Sequence, residues 1–386
     1  MNAARLKAIR LARGMTLEDL SAAMGGVVTK QALSKYERGA SAPTPRVFVA
    51  LAKALRVKAI ALAVEPAVDV HIVAFRKRAT FPKGKQRELE SEVALGLERR
   101  VALQELIGQE CAGVVPLHQY PVTSLDDAES AAERLRDAWH LGRDPLGQMV
   151  DVLEDHCFHV LELDAPEKFD GMSAVAEASG EPVAAAVVTR TGVCGERQRL
   201  SLGHELGHLA LSVSESVEEE KAAYRFGAAF LAPREALLAE VGPRRTDITS
   251  DELFILKRTF GMSVAALVYR LRDLGVISDR YAAEWWRHIG QMGWRKQEPH
   301  EMPTEEPKWL EQSALRAFSE GLITEAEAEG FLGRRVEHVG PPSRRRAFAG
   351  LPREKRTAAL AKQAAAAADL YERDSADDSD DELVDY

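Results

Sequence analysis

Along residues 3–57 apolar side chains recur three and four apart, at Leu6, Ile9, Leu17, Leu20, Met24, Leu33, Val47, Leu51 and Leu55. That period predicts short amphipathic helices joined by tight turns. ALAVEPAVDVHIVAFR (61–76) is rich in β-branched residues and reads as extended, whereas 83–109 reads as a charged amphipathic helix and PLHQYPVT (116–123) as a linker. Helices are expected at Ala128–His140 and Gln148–His156, with strands at 158–164 and 182–190. RLSLGHELGHLALS (199–212) returns to helical spacing, and Glu215–Leu231 forms another helix stopped by Pro233. Residues 250–340 look helical throughout, most clearly over 261–275. The fold class that follows is mainly α with a small α+β core. The divisions expected are a helical domain (1–60), a connecting strand and helix (61–125), a compact α+β domain (126–245), a helical region (246–345), and an Ala-rich helix with an acidic tail (346–386).

Composition narrows the class. The 386 residues are 46% hydrophobic and 29% charged, normal for a globular chain long enough for two or three modules. No apolar run approaches the ~20 residues that span a bilayer, and the N-terminus lacks a signal-peptide pattern, so no membrane is expected and the cytoplasm is the default. Cys111, Cys157 and Cys194 form no CxxC pair and suggest neither a disulfide framework nor a cysteine zinc site. The net charge of −9 conceals an asymmetry: Glu372–Tyr386 carries −7 and Met1–Val57 carries +7. A basic module that meets polyanions and a solubilising acidic tail account for it.

The basic module has its own chemistry. TLEDLSAAMGGVVTKQALSKYERG (16–39) reads as two helices around a turn, with Thr16 and Asp19 as a capping box, Gly25–Gly26 as the break and Thr29 as the second cap. The second helix presents Lys30, Gln31, Ser34 and Lys35 outward, with Ala32, Leu33 and Tyr36 inward. A helix N-terminus and lysines meet phosphates, and Gln31 has the groups to pair with adenine in a major groove. LSKYERG (33–39) and the hydrophobic spacing resemble the phage-repressor (Cro/CI, Xre) helix-turn-helix family over 3–57, with a turn about two residues longer than usual. The resemblance implies that Thr29, Lys30, Gln31, Ser34 and Lys35 contact double-stranded DNA. Two-fold operators pair with homodimers in such modules, although no heptad repeat adds support here.

GHELGH (203–208) carries different chemistry. Residues four apart on a helix lie about 40° apart on one face and ~6 Å apart along the axis, so His204 and His208 can reach one ion. Leu202, Leu206, Leu209 and Val213 form a separate stripe for the core. Glu205 projects beside the ion, placed to take a proton from metal-bound water and pass it to a leaving amine. Gly203 and Gly207 cost a helix about 1 kcal/mol each relative to Ala, which makes sense if another backbone or a substrate strand passes close by. Zinc hydrolases keep three protein ligands. The third comes from elsewhere, and Glu218, Glu219 and Glu220 at the start of the next helix are all candidates on composition. His156 and His159 lack a second ligand group at suitable spacing and read as structural, and the tryptophans 285, 286, 294 and 309 as core.

RLSLGHELGHLAL followed by EKAAYRFGAAFLAP resembles the ImmA/IrrE family of zinc metallopeptidases, with WHLGRDPLGQMVDVLEDHCFHVLELD (139–164) and FDGMSA (169–174) adding to it across roughly 126–295. The family's acidic ligand, six residues before the aromatic position filled here by Phe226, falls on Glu220. Glu218 and Glu219 then become solvated neighbours, and Gly227 and Ala232 depart from the usual pattern. The resemblance implies a Zn2+ site of His204, His208 and Glu220, with Glu205 as general base. It also implies a sheet edge, with PVAAAVVTR (182–190) the candidate, that binds an extended substrate. Tyr269 is a candidate hydrogen-bond donor to the tetrahedral intermediate. Members joined to an Xre domain imply a repressor protein as substrate in a stress or mobile-element response. The competing expectation is a DNA-binding regulator whose peptidase-like domain senses a ligand or metal without cleaving.

Overall fold

The computed structural model describes residues 1–77, 81–109, 111 and 115–337. The expected Ala-rich helix and acidic tail lie outside these. The chain is mainly helical with a small mixed sheet. It groups into two units, 1–102 with 110–307, and Leu103–Gln109 with the segment from Lys308 onward.

In the first unit, helices α1 (Ala3–Ala12), α2 (Leu17–Ala23), α3 (Lys30–Glu37) and α4 (Pro45–Ala54) close over Leu6, Leu20, Leu33, Leu51 and Leu55. Asn2, Thr16, Thr29 and Thr44 cap them, each side-chain oxygen accepting from a backbone N–H of the first turn. Thr16 and Asp19 form the expected capping box. Gly25 and Gly26 sit at φ +70° and +73°, the left-handed region that glycine enters without strain. Buried Arg10 spans the module by bonding both carboxylate oxygens of Glu37 at 2.6 and 2.9 Å.

The connecting segment supplies more than a linker. Its strand β1 (Asp69–Lys77) joins a four-stranded sheet, and its helix α5 (Lys83–Ile107) covers one face. A short β2 (Tyr120–Val122) lies where the linker was expected, and pairs in parallel with β6 (Leu211–Val213). The other strands are β3 (Phe158–Leu163), β4 (Phe169–Ala178) and β5 (Glu181–Arg190), in the order β1-β4-β5-β3. β4 and β5 form a hairpin whose turn residues, Ser179 and Gly180, both have positive φ, the geometry that matches strand twist. β3 runs parallel to β5.

Strand alternation divides the core into two layers. Phe158, Val160, Val175, Ala185 and Val187 face the helical side. Leu161, Ala174, Ala176, Ala184, Ala186 and Val188 meet Leu89, Val93, Leu97 and Val101 of α5. Because β5 is buried on both faces, it reads as a nearly unbroken apolar run. It is also hydrogen-bonded along both edges, by β4 and β3. PVAAAVVTR therefore cannot be the edge that accepts a peptide; among the described residues the sheet's outer edges belong to β1 and β3.

The helical side holds α6 (Leu125–Ala138), α7 (Met149–Asp155), α8 (Gly195–Ala210), α9 (Glu219–Leu231), α10 (Arg234–Val241), α11 (Ser250–Phe260), α12 (Val264–Asp273) and α13 (Asp279–Gln291). Buried Glu129 ties three of them together. It accepts from Arg225 of α9 and, at both oxygens, from Arg270 of α12. A buried carboxylate is tolerated only when paired in this way. The cysteine expectation is corrected: Cys111 and Cys157 are disulfide-bonded, 46 residues apart in sequence. No short spacing announces the pair, because the fold brings a residue beyond α5 to the turn between α7 and β3. In the second unit, α14 (Trp309–Ser319) and α15 (Glu325–Leu332) pack Ala314, Ala317 and Phe318 against Leu103. No described helix is long and apolar enough to cross a membrane.

Candidate metal centre

Two crossing helices build the site. A Cβ on Gly203 would meet Gly227 Cα at 3.1 Å, and one on Gly207 would meet Ala223 Cα at 3.1 Å. The helical glycines are therefore there for closeness, as a passing backbone would require, and that backbone is α9. Gly227 completes the contact, since its own Cβ would fall 2.8 Å from the Gly203 carbonyl carbon. The residue that departs from the family pattern is matched to its neighbour.

This crossing brings the three expected ligands together. His204 Nε2 and His208 Nε2 lie 3.0 Å apart. Glu220 Oε2 is 3.4 Å from His204 Nε2, and its Oε1 is 3.6 Å from His208 Nε2. Ligand atoms at 2.0–2.1 Å around a tetrahedral ion stand roughly 3.3 Å from one another. The residues fit such an ion in chemistry and in spacing. Among the described residues these three form the one His/Cys/Asp/Glu group that could hold a metal.

Electrostatics suit a ligand set. Burial pushes the His204 imidazole down to about 4, which leaves it neutral and able to donate a lone pair at neutral pH. The contact with His204 draws the Glu220 carboxyl below its ordinary value. Glu219, expected to be a solvated neighbour, is exposed and also places Oε1 2.9 Å from His208 Nδ1. That partner favours the tautomer whose free Nε2 lone pair faces the cluster. Glu218 pairs with Lys221 at 2.6 Å.

Glu205 is fully buried beside the cluster. Burial pushes its carboxyl up to about 8, against the opposing pull of Arg76. Arg76 Nε stands 3.3 Å from Glu205 Oε1, yet neither carboxylate oxygen has an aligned hydrogen bond. Room for the carboxylate comes from β4, where a Cβ on Gly171 would strike Glu205 Oε1 at 2.3 Å. Gly171 and Arg76 escape sequence reasoning because nothing local marks them; both act from strands distant in sequence. Tyr224 also belongs to the site, its ring centroid 4.1 Å from that of His204. It follows Glu220 by four residues, the same rule that flagged the histidine pair.

Tyr269 is placed differently. On α12 its ring lies beneath the Arg272 guanidinium at 4.1 Å and is tilted against Trp286, with centroids 5.6 Å apart. His156 stacks on Trp139 and hydrogen-bonds Val152 O, and His159 is buried in β3. In the N-terminal module Thr29, Lys30, Gln31 and Lys35 are exposed and Ser34 is half-buried, while Leu33 is inside. Lys30 is ion-paired with Glu18.

Comparisons with known families agree with this division. Residues 6–62 match a helix-turn-helix family model, and residues 195–272 match that of the IrrE N-terminal-like domain, peptidase M78. No curated protein matches the chain. The chain thus joins an Xre-like helix-turn-helix domain to an IrrE/ImmA-like peptidase M78 domain in one polypeptide.

Proposed function

We propose that this protein is a zinc-dependent endopeptidase that binds DNA through its N-terminal module and cleaves an Xre-type transcriptional repressor in a stress or mobile-element response. The observation that carries the reading is the convergence of His204, His208 and Glu220 at separations of 3.0, 3.4 and 3.6 Å. These three residues would hold the ion. Bound there, zinc supplies Lewis acidity and makes water acidic enough to lose a proton near neutral pH.

The chain's own residues do the rest. Glu205 takes the proton from the attacking water and returns it to the leaving amine. Its carboxyl is buried beside the histidine pair, within reach of both transfers. Glu219 keeps the His208 ring turned with Nε2 inward. An extended substrate adds to β1, the outer sheet edge whose Arg76 reaches the site, by main-chain hydrogen bonding. At the N-terminal module, Gln31 reads a base edge while Lys30, Lys35 and the Thr29-capped helix end meet phosphates, and Ser34 lies alongside. A homodimer would place two such helices on a two-fold operator. Cytoplasmic residence is part of the proposal.

The test compares new protein N-termini by mass spectrometry in host cells expressing wild type or Glu205→Gln, before and after DNA damage. A repressor fragment dependent on Glu205 supports the peptidase. Identical termini with both proteins folded and zinc-loaded would favour the non-cleaving sensor instead.

A further inference from the structure

Tyr224 is half-exposed at the mouth of the metal cluster, one helical turn beyond Glu220 on α9, with its ring against His204. Its hydroxyl oxygen accepts a 2.7 Å hydrogen bond from Arg76 Nη1. Arg76 is itself fixed by two further contacts: Nη2 donates to Asp170 O at 3.2 Å, and Nε faces Glu205. A phenol has one O–H to donate. Because the oxygen already accepts from a guanidinium, that O–H has no claim on it among the described residues, and the charge-assisted bond polarises it further.

We infer that Tyr224, held by Arg76, is the hydrogen-bond donor to the scissile carbonyl oxygen as that oxygen gains negative charge. The inference rests on the metallopeptidase reading and deepens it. No proton is transferred: the hydroxyl donates to the oxygen formed from the carbonyl and continues to accept from Arg76. A donor fixed before reaction, aimed where charge develops, is the arrangement that lowers such barriers. Arg76 is then a positioning residue. It makes β1, from the connection between the two matched segments, a working part of the site.

The experiment uses the full chain loaded with cobalt, followed by visible absorption. The probe is a blocked dipeptide phosphonamidate, whose tetrahedral oxygens mimic the charged intermediate. Tyr224→Phe removes only the hydroxyl. It is expected to bind cobalt within about twofold of wild type, and to bind the probe roughly 10- to 100-fold more weakly, the range for a hydrogen bond to a charged group. Arg76→Met should also weaken the probe, by less, with cobalt affinity retained. Equal probe affinity in wild type and Tyr224→Phe, including equal absence of binding, overturns the role. Failure of the wild type to bind cobalt, or equal cobalt affinity in Glu220→Gln, sinks the metallopeptidase reading itself and is seen before any probe is added.

Discussion

The two helix pairs, α2–α3 in the N-terminal module and α8–α9 in the peptidase-like domain, use the same residue for opposite purposes. Gly25 and Gly26 lie in open space with left-handed φ, so their value is conformational. Gly203, Gly207 and Gly227 have ordinary helical backbones, and a Cβ on any of them would press on the facing helix. The first pair presents polar side chains to solvent for a ligand to read. The second buries Glu205 and two histidines, and must hold them by contact. A surface that recognises tolerates slack in its scaffold, whereas a buried cluster of ligands depends on backbone separation.

That contrast can be broken. The largest effect is expected from Gly227→Ala, whose new carbon would sit 2.8 Å from backbone. Overpacking there should cost about 3 kcal/mol or more of stability, read by chemical denaturation. Gly26→Ala, with no steric clash and only a positive φ to oppose it, should cost about 1–2 kcal/mol. Comparable losses would mean that the crossing is not the constraint we describe.

Next in size is the burial of Glu205. Its folded value, about 8, lies above the ordinary 4.5. Between those values the unfolded chain has released a proton that the folded chain keeps, so stability of the metal-free protein falls as pH rises. At pH 7 about 2.5 units at 1.36 kcal/mol each give roughly 3 kcal/mol. Glu205→Gln should recover most of this, with a gain that vanishes below about pH 4.5. A gain independent of pH would point to packing instead. Glu129 works in the other direction. Burial would raise its carboxyl, but Arg270 and Arg225 outweigh that and hold it below 4.5. Its contribution is present at higher pH and is lost as pH falls through its folded value, so Glu129→Gln should flatten the acid limb of the stability curve.

The smallest effects belong to the exposed pair. Lys35→Ala should weaken duplex binding evenly across sequences and reduce the slope of log K against log salt by about 1. Gln31→Ala should relax discrimination at one base pair by roughly 1–3 kcal/mol. Both are read by binding titrations at several salt concentrations, and unchanged salt slopes would remove Lys35 from the phosphate-facing surface.

What the sequence made legible follows the same division. The capping threonines, the Gly25–Gly26 turn and the i, i+4 histidines are local patterns, and local patterns carry their geometry with them. Glu220 became a candidate from its position at a helix start, and a single choice only through the family resemblance. Tyr224 was open to the same four-residue rule applied once more. Arg76, Gly171 and Glu219 were not, because their roles arise where β1, β4 and α9 meet α8. β4 itself, FDGMSAVAEA, is poor in the β-branched and aromatic residues that announce strands. It is held in the sheet by pairing on both sides. The disulfide was hidden for the same reason, since only the fold sets Cys111 beside Cys157.

The central claim is that α8 and α9 together make a metal site. Zinc affinity of the full chain, measured by chelator competition for wild type, Glu220→Gln and Glu218→Gln, tests it most directly. One zinc per chain is expected. Glu220→Gln should weaken binding beyond the ~10- to 100-fold that loss of an outer-shell partner costs, and Glu218→Gln should leave it unchanged. Absence of stoichiometric zinc in the folded wild type, or equal affinity in Glu220→Gln, would contradict the account.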